Sequence, residues 1–492
     1  MKLGKTSREN FDKFLEYIFS PPLKNSLFRT WDFLIPVFLF LTGIVHWILF
    51  LGMGMIDITM FDWIKEYVYY YILKKAIITK TIPYFFSAPD FLFNYPQVRD
   101  SFIGNPETVL SPQILLLKIM DIRYFILLNI LIFFSIGFIG LLLIRKKYNL
   151  SVFIFSLLFI LFNFNGHITS HITAGHSMWN GYFLLPFFFL YLTEILDKIY
   201  YPAACVKISL VMFFIILQGS FHFYVWCLMF FFLFALFDLR YFKSFLMVVF
   251  ISTSLSAIRL FPAIIAFRGE NPKFMGGFPG LEYLILALIM IKRYDFMGIG
   301  KITWWEYDNY ISILGVLFIA YFGVIMCFKK ESGIENCNYK AFNRPIVAMT
   351  ILSLDHVYFL ISKIPLFSGE RVATRFFIMP LVLLLIISCI RAQKAAHIFN
   401  KNHSRMILSL TGLLVIFLSL ISHSIEWKAF RSAGFSDKSL NIYFSSISIL
   451  DKEDMLFKYI LFISACVSIL SLILSIGYLI YFREKKEKHH PI

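Results

Sequence analysis

Apolar runs alternate with short polar stretches along the whole chain, the pattern left by helices that cross a bilayer, each needing ~20 apolar residues to span a ~30 Å hydrocarbon core. The runs fall near 31–52, 122–144, 151–164, 179–195, 207–219, 221–238, 244–266, 310–328, 345–362, 375–391, 405–422 and 457–482. They predict an all-α polytopic bundle of about 12 membrane helices. Two neighbouring pairs, 151–164 with 179–195 and 207–219 with 221–238, contain members shorter than the ~17–25 residues of a full span, so broken or half-buried helices are expected there. No polar linker of domain-separating length interrupts the series, and residues 1–492 read as one integral membrane domain. The first run follows a basic segment, 1–30, and is long enough to span, which predicts an uncleaved anchor.

Composition agrees with this pattern. Of 492 residues, 59% are hydrophobic, 19% aromatic and 15% charged, against roughly 45–50% apolar and ~25% charged in soluble domains. The net charge of +16 would suit nucleic acid, but 25 of the 46 Lys and Arg lie in the short loops 1–30, 145–150, 196–207, 239–243, 329–344, 391–405 and 483–492. Positive residues collect on cytoplasmic loops. The excess therefore predicts cytoplasmic N- and C-termini, with 483–492 a basic tail, and argues against nucleic acid. The outer side then carries a long loop, 53–121, a second at 267–309, and shorter ones at 164–178, 363–374 and 423–456, where function is expected. Cys205, Cys227, Cys327, Cys337, Cys389 and Cys466 show no paired metal-ligand spacing, so neither disulfides nor zinc ligation are expected from them.

Within the first outer loop, IDITMFDWIKEYVYYYILKKAI mixes aromatic, aliphatic and charged residues, which suits helices lying in the membrane interface as a lid. IPYFFSAPDF and NYPQ follow, broken by proline, and then GNPETVLSPQILLLKIM, where Pro112 stands near a helix start.

The candidate chemistry lies on the same side. Asp57 and Asp62 sit just past the first run, where a carboxylate can take the proton of a hydroxyl nucleophile. Asp62, followed by Trp63, is the first choice; as ordinary structure both are solvated charges or helix caps and Trp63 an interfacial anchor. FNFNGHITSHITAGHSMWNGYFLLP brings His167, His171 and His176 together. The first two have the spacing of one helix face, but Gly166 and Gly175 favour a turn, and no carboxylate in the segment completes a metal site. With Asn165 and Asn180 these imidazoles suit phosphate or sugar. Gln218, Ser220 and His222 interrupt an apolar stretch and are expected to face a cavity. Arg259 demands a partner, for which a lipid phosphate or snorkelling to the interface would serve. Glu306 stands in KITWWEYDNYISILG, and Arg371 with Arg375 in KIPLFSGERVATRFFIMP, where forked guanidiniums bind phosphate or pair with Glu370.

This order of segments, FDW in a long first outer loop, GNPE with LSPQ, NGHITSHITAGH, TWWEYDNYIS and RVATR, resembles the GT-C superfamily of integral membrane glycosyltransferases, in its bacterial, polyprenyl-phosphate-sugar-dependent form, over most of the chain. The resemblance implies transfer of a sugar, with inversion, from a polyprenyl-phosphate donor to a glycan or lipid acceptor of the cell envelope, at the outer face of the bacterial cytoplasmic membrane. Asp62, or else Asp57, would be the base and Arg259, Arg371 or Arg375 the phosphate-handling arginine. The chain departs from the pattern in lacking a paired Asp-Glu in the first loop and a sizeable soluble C-terminal domain, which leaves the acceptor and the need for a divalent cation open. The competing readings are a polytopic transporter or flippase for a lipid-linked or anionic substrate, whose related halves are not visible here, and a non-enzymatic scaffold.

Overall fold

The computed structural model describes residues 12–22, 29–57, 61–87, 101–198, 200–268, 273–291, 302–326, 339–363, 369–428, 444–451 and 454–489. Pro89, Pro96, Cys327 and Cys337 lie outside them.

Among the described residues, six helices are long and apolar enough to cross a membrane: Thr30–Phe50, Ile122–Tyr148, Val152–Thr173, Ala373–Lys394, His403–Lys428 and Met455–Arg483. A seventh is formed if Leu239–Leu255 and Ala257–Ala266, bent by 77° against each other, count as one span. The remaining apolar runs are helical but short. Pro202–Leu217 and Phe221–Phe237 are separated at Gly219, and 345–362 divides into Asn343–Leu352 and Asp355–Ile361. The run at 179–195 begins as a 3₁₀ turn, Ser177–Leu184, before the helix Leu185–Asp197. Run length marks the pair on either side of Gly219 as short, whereas the run 151–164 proves to be part of the full-length span Val152–Thr173, because helix continues past it into the histidine segment.

Val152–Thr173 is wholly buried and Ala373–Lys394 nearly so, whereas the first, fifth and sixth long helices turn large apolar side chains outward. Phe33 is 69% exposed, Leu408 70% and Phe462 67%. Apolar surface of that extent on helices whose backbone groups bond internally belongs in lipid. The chain is a membrane protein with a buried inner pair of helices and a lipid-facing shell.

The Trp63–Thr79 helix is packed into the bundle rather than laid loosely over it. Val68, Tyr69, Tyr70, Ile72 and Leu73 are buried, and the ammonium groups of Lys74 and Lys75 donate to the carbonyls of Met120 (2.8 Å) and Ile447 (2.6 Å). Next to it Phe85–Ser87 pairs antiparallel with Ser448–Leu450, tying the loop to the segment ahead of the last helix.

Two glycines let loops approach the buried helices. Gly175 has φ +87° and a Cβ there would lie 2.5 Å from the Trp63 nitrogen; Gly219 has φ +72° and its Cβ would lie 2.1 Å from the Glu107 carbonyl oxygen. Both positions need the left-handed conformation and the missing side chain together. One seats the turn carrying Asp62, the other the loop carrying Glu107.

Candidate functional site

Asp62 is placed by its backbone. Its N–H donates to the Ala174 carbonyl (3.0 Å), and the Trp63 indole N–H donates to the Thr173 carbonyl (3.2 Å), so the start of the Trp63–Thr79 helix sits on the end of Val152–Thr173. There Asp62 Oδ2 lies 3.5 Å from His176 Nε2 and 3.4 Å from Lys65 Nζ. Burial alone would push the carboxyl up, but the His176 hydrogen bond and the Lys65 charge hold it well below the usual carboxylate range. Lys65 also reaches Glu107 (3.0 Å) and Glu66 (3.8 Å). Burial opposes its charge, and the carboxylates of Glu107 and Glu66 override it, keeping the ammonium well above its ordinary range. Glu107 is held low in return: burial raises its carboxyl, and Lys65 and then His222 draw it down.

Glu66 behaves in the opposite way. Its side chain is buried and accepts a hydrogen bond from the Ser177 hydroxyl, and burial pushes its carboxyl from 4.5 to about 8 despite Lys65 nearby. Between those values the folded chain holds a proton that the unfolded chain has released, so this group's contribution falls as pH rises from about 4.5 to about 8. Glu66→Gln, neutral and nearly isosteric, removes that dependence. Melting curves from pH 5 to pH 9 should show the wild type losing stability relative to the variant, by the order of a few kcal/mol, as pH rises. A constant gap between the two curves would contradict a protonated Glu66.

The histidines belong to a helix and the turn after it. The Asn165 side chain accepts from the Ile168 N–H (3.3 Å) and caps Gly166–Thr173, so Gly166 opens a helix after a short bend at 164–165, and a left-handed turn follows at Gly175. His167 and His171 then share one face, with ring centroids 4.6 Å apart. Trp179, wholly buried, donates its indole N–H to His167 Nε2 (2.9 Å) and stacks on His171 at 4.1 Å. His171 Nδ1 and His176 Nδ1 approach to 2.7 Å.

Against the same Trp179 ring lies the Arg375 guanidinium, 5.0 Å from the centroid. It grips Glu306 with two donors, each at 2.6 Å. Burial raises the Glu306 carboxyl, and Arg375 overrides this and keeps it below its ordinary value. Beside them Glu370 accepts from the Trp226 indole (3.0 Å) and pairs with His222 Nδ1 (3.1 Å); burial raises it, and His222 first among its partners lowers it.

The structure therefore brings Asp62, Trp63, His167, His171, His176, His222, Glu306 and Arg375 to one place, where several long helices begin or end. Three other sequence candidates lie elsewhere. Asp57 is half-buried in the extended stretch after the Gly52–Gly54 turn. Arg371 is exposed, with Nη2 against the Met275 sulfur at 2.9 Å. Its spacing from Arg375 gives no common face because Ala373–Phe377 is a 3₁₀ turn following extended chain. Arg259 is 1% exposed and donates to the carbonyls of Ile103 (3.2 Å), Asn105 (2.8 Å), Pro106 (3.1 Å) and Thr108 (2.7 Å). The buried guanidinium thus finds its partner in backbone rather than lipid phosphate, and what it fixes is the loop that presents Glu107.

Sequence reading missed Lys65, Glu66, Glu107, Trp179 and the Glu370–His222 pair. The charged DWIKE step inside an aromatic run was a usable signal for the first two. Trp179 gave none, being one aromatic among many. A second buried group, Asp308, accepts from the Trp427 indole (2.7 Å) and the Tyr310 N–H (3.0 Å) and pairs with His423 (2.9 Å), anchoring His403–Lys428 to the segment after Glu306.

Chemically, the cluster offers an ionised carboxylate next to an imidazole and an arginine with free N–H donors, while the Trp179 indole is taken up by His171 and Arg375. Compared with protein-family models, curated proteins and solved structures, the chain matches none.

Proposed function

We propose that the chain is a membrane glycosyltransferase of GT-C type, a bundle of twelve apolar segments that moves a sugar from a polyprenyl-phosphate donor to a glycan or lipid acceptor at the outer face of the cytoplasmic membrane. The observation that supports this reading best is the meeting of Asp62, from the first loop, with His176, Trp179 and Arg375, from segments more than 100 residues away. Asp62 is ionised and half-exposed, as a base that must meet an incoming hydroxyl has to be. In the proposed step the acceptor oxygen attacks the anomeric carbon from the face opposite the phosphate, Asp62 takes the hydroxyl proton, and the bond between that carbon and the phosphate oxygen breaks. Polyprenyl phosphate leaves with the electron pair, and the configuration at the sugar carbon inverts. Arg375 uses two of its five N–H donors on Glu306, and the rest, with its charge, suit the phosphate.

The test is to incubate the purified full-length chain in lipid nanodiscs with a panel of polyprenyl-phosphate sugars and a mixed glycan acceptor. Release of free polyprenyl phosphate is expected with at least one donor. No release, combined with movement of a labelled lipid-linked sugar across the bilayer of proteoliposomes, would replace the transferase by the transporter.

A further inference from the structure

His176 faces two ways. Its Nε2 lies 3.5 Å from the Asp62 carboxylate and its Nδ1 lies 2.7 Å from His171 Nδ1. The carboxylate favours the tautomer with the hydrogen on Nε2, which leaves a lone pair on Nδ1 aimed at the second imidazole. A carboxylate, then a histidine, then a cation is the order found where a protein orients a metal-binding imidazole.

His171 is fully buried with its ring held against Trp179, and its Nε2 has no hydrogen-bond partner. If its Nδ1 carries the hydrogen, a lone pair is stranded at Nε2; if its Nε2 carries it, two lone pairs meet at 2.7 Å. No arrangement of protons on neutral rings satisfies every nitrogen. Glu306 supplies a third group, with one ligand atom from each of His171, His176 and Glu306 lying within 4.8 Å of the others. The Arg375 fork takes one lone pair from each Glu306 oxygen and leaves the second of each unused.

We propose that His171, His176 and Glu306 bind a first-row divalent transition metal of the zinc class, with Asp62 and Arg375 orienting its ligands. Two imidazoles and a carboxylate are the donor set of open zinc sites, which keep a position for water or a substrate oxygen. Tetrahedral ligands at ~2.1 Å stand about 3.4 Å apart, so the imidazole pair, now at 2.7 Å, parts by roughly 0.7 Å to admit the ion. The surrounding charge favours it: Asp62, Glu107, Glu306 and Glu370 outnumber Lys65 and Arg375. The spacing of residues within 164–178 concealed the site because its carboxylate comes from a segment 130 residues further on. The inference does not depend on sugar transfer and is read without an activity assay.

The test uses full-length, untagged protein in detergent, stripped with chelator and dialysed against Zn²⁺ or Co²⁺. Elemental analysis should find one Zn²⁺ per chain, and bound Co²⁺ should show the visible bands of a nitrogen-ligated, non-octahedral ion. His171→Gln and His176→Gln should remove stoichiometric binding, and Asp62→Asn should weaken it about 10–100-fold. Zinc well below one equivalent on the wild type, a cobalt spectrum identical to the aqueous ion, or full occupancy in well-folded His171→Gln and His176→Gln would each overturn the site. Because the cobalt spectrum is taken on unaltered protein, the result stands even if a histidine variant fails to fold.

Discussion

Replacing Asp62 with asparagine is expected to slow the release of polyprenyl phosphate about 10²- to 10⁴-fold, the contribution of a positioned general base, while the chain still elutes as a folded protein. The fold should survive because Asp62 is placed by its backbone N–H on Ala174 and by the neighbouring Trp63 indole on Thr173, neither of which the substitution touches. Its side chain is 49% exposed, so an amide there meets little packing. What disappears is the acceptor for the hydroxyl proton. The pH profile gives a second check. Since His176 and Lys65 hold the carboxyl below the usual carboxylate range, a rate limited by this base stays level as pH falls through about 4, the reference range for aspartate, instead of dropping there. Assays with excess Zn²⁺ separate the lost base from any weaker metal affinity. Turnover in Asp62→Asn equal to the wild type would remove Asp62 from the proposed mechanism.

The general architecture was legible because lipid imposes one pattern on any helix that faces it, and Thr30–Phe50 or Met455–Arg483 carries that pattern for its whole length. The division into full spans and shorter pieces was legible only in part. The short pair on either side of Gly219 was expected from the length of its runs, whereas the break at Ser353 was not, because apolar content does not change across it. Among the site residues, the histidines drew notice because three of them in so short a segment is rare. Their geometry depended on the Asn165 cap, whereas the two glycines were weighed as turn formers alone. Arg259 shows the limit most plainly. Its burial in an apolar run correctly demanded a partner, but the four carbonyls that answer the demand lie some 150 residues earlier in the chain, in a loop whose path only the fold defines. For Glu370 the local sequence pointed to the adjacent arginines, and the tertiary structure paired it with His222 and Trp226 instead.

Arg375→Met should destabilise the chain by about 3–5 kcal/mol, the usual consequence of leaving one member of a buried ion pair alone. The side chains of Arg375 and Glu306 are 12% and 8% exposed, and two contacts of 2.6 Å join them. Removing the guanidinium leaves the Glu306 carboxylate buried without its cation and takes the positive charge off the face of Trp179. The damage should be greatest at Trp304–Tyr307, because a helix of four residues has no stability of its own and is held in place by this ion pair and by the Ser170 hydroxyl donating to the Trp305 carbonyl (3.2 Å). Glu306→Leu alone should also be destabilising, since the guanidinium then remains buried without its carboxylate. The double variant Glu306→Leu with Arg375→Met removes both charges together and should recover most of the loss, because two apolar side chains of similar volume replace a buried pair at little net penalty. Unfolding midpoints of the four proteins in one detergent give the coupling between the two positions, and hydrogen exchange across 303–308 shows whether the short helix is what loosens. A single Arg375→Met variant that melts with the wild type would mean that the pair contributes nothing to holding Glu306 in the cluster.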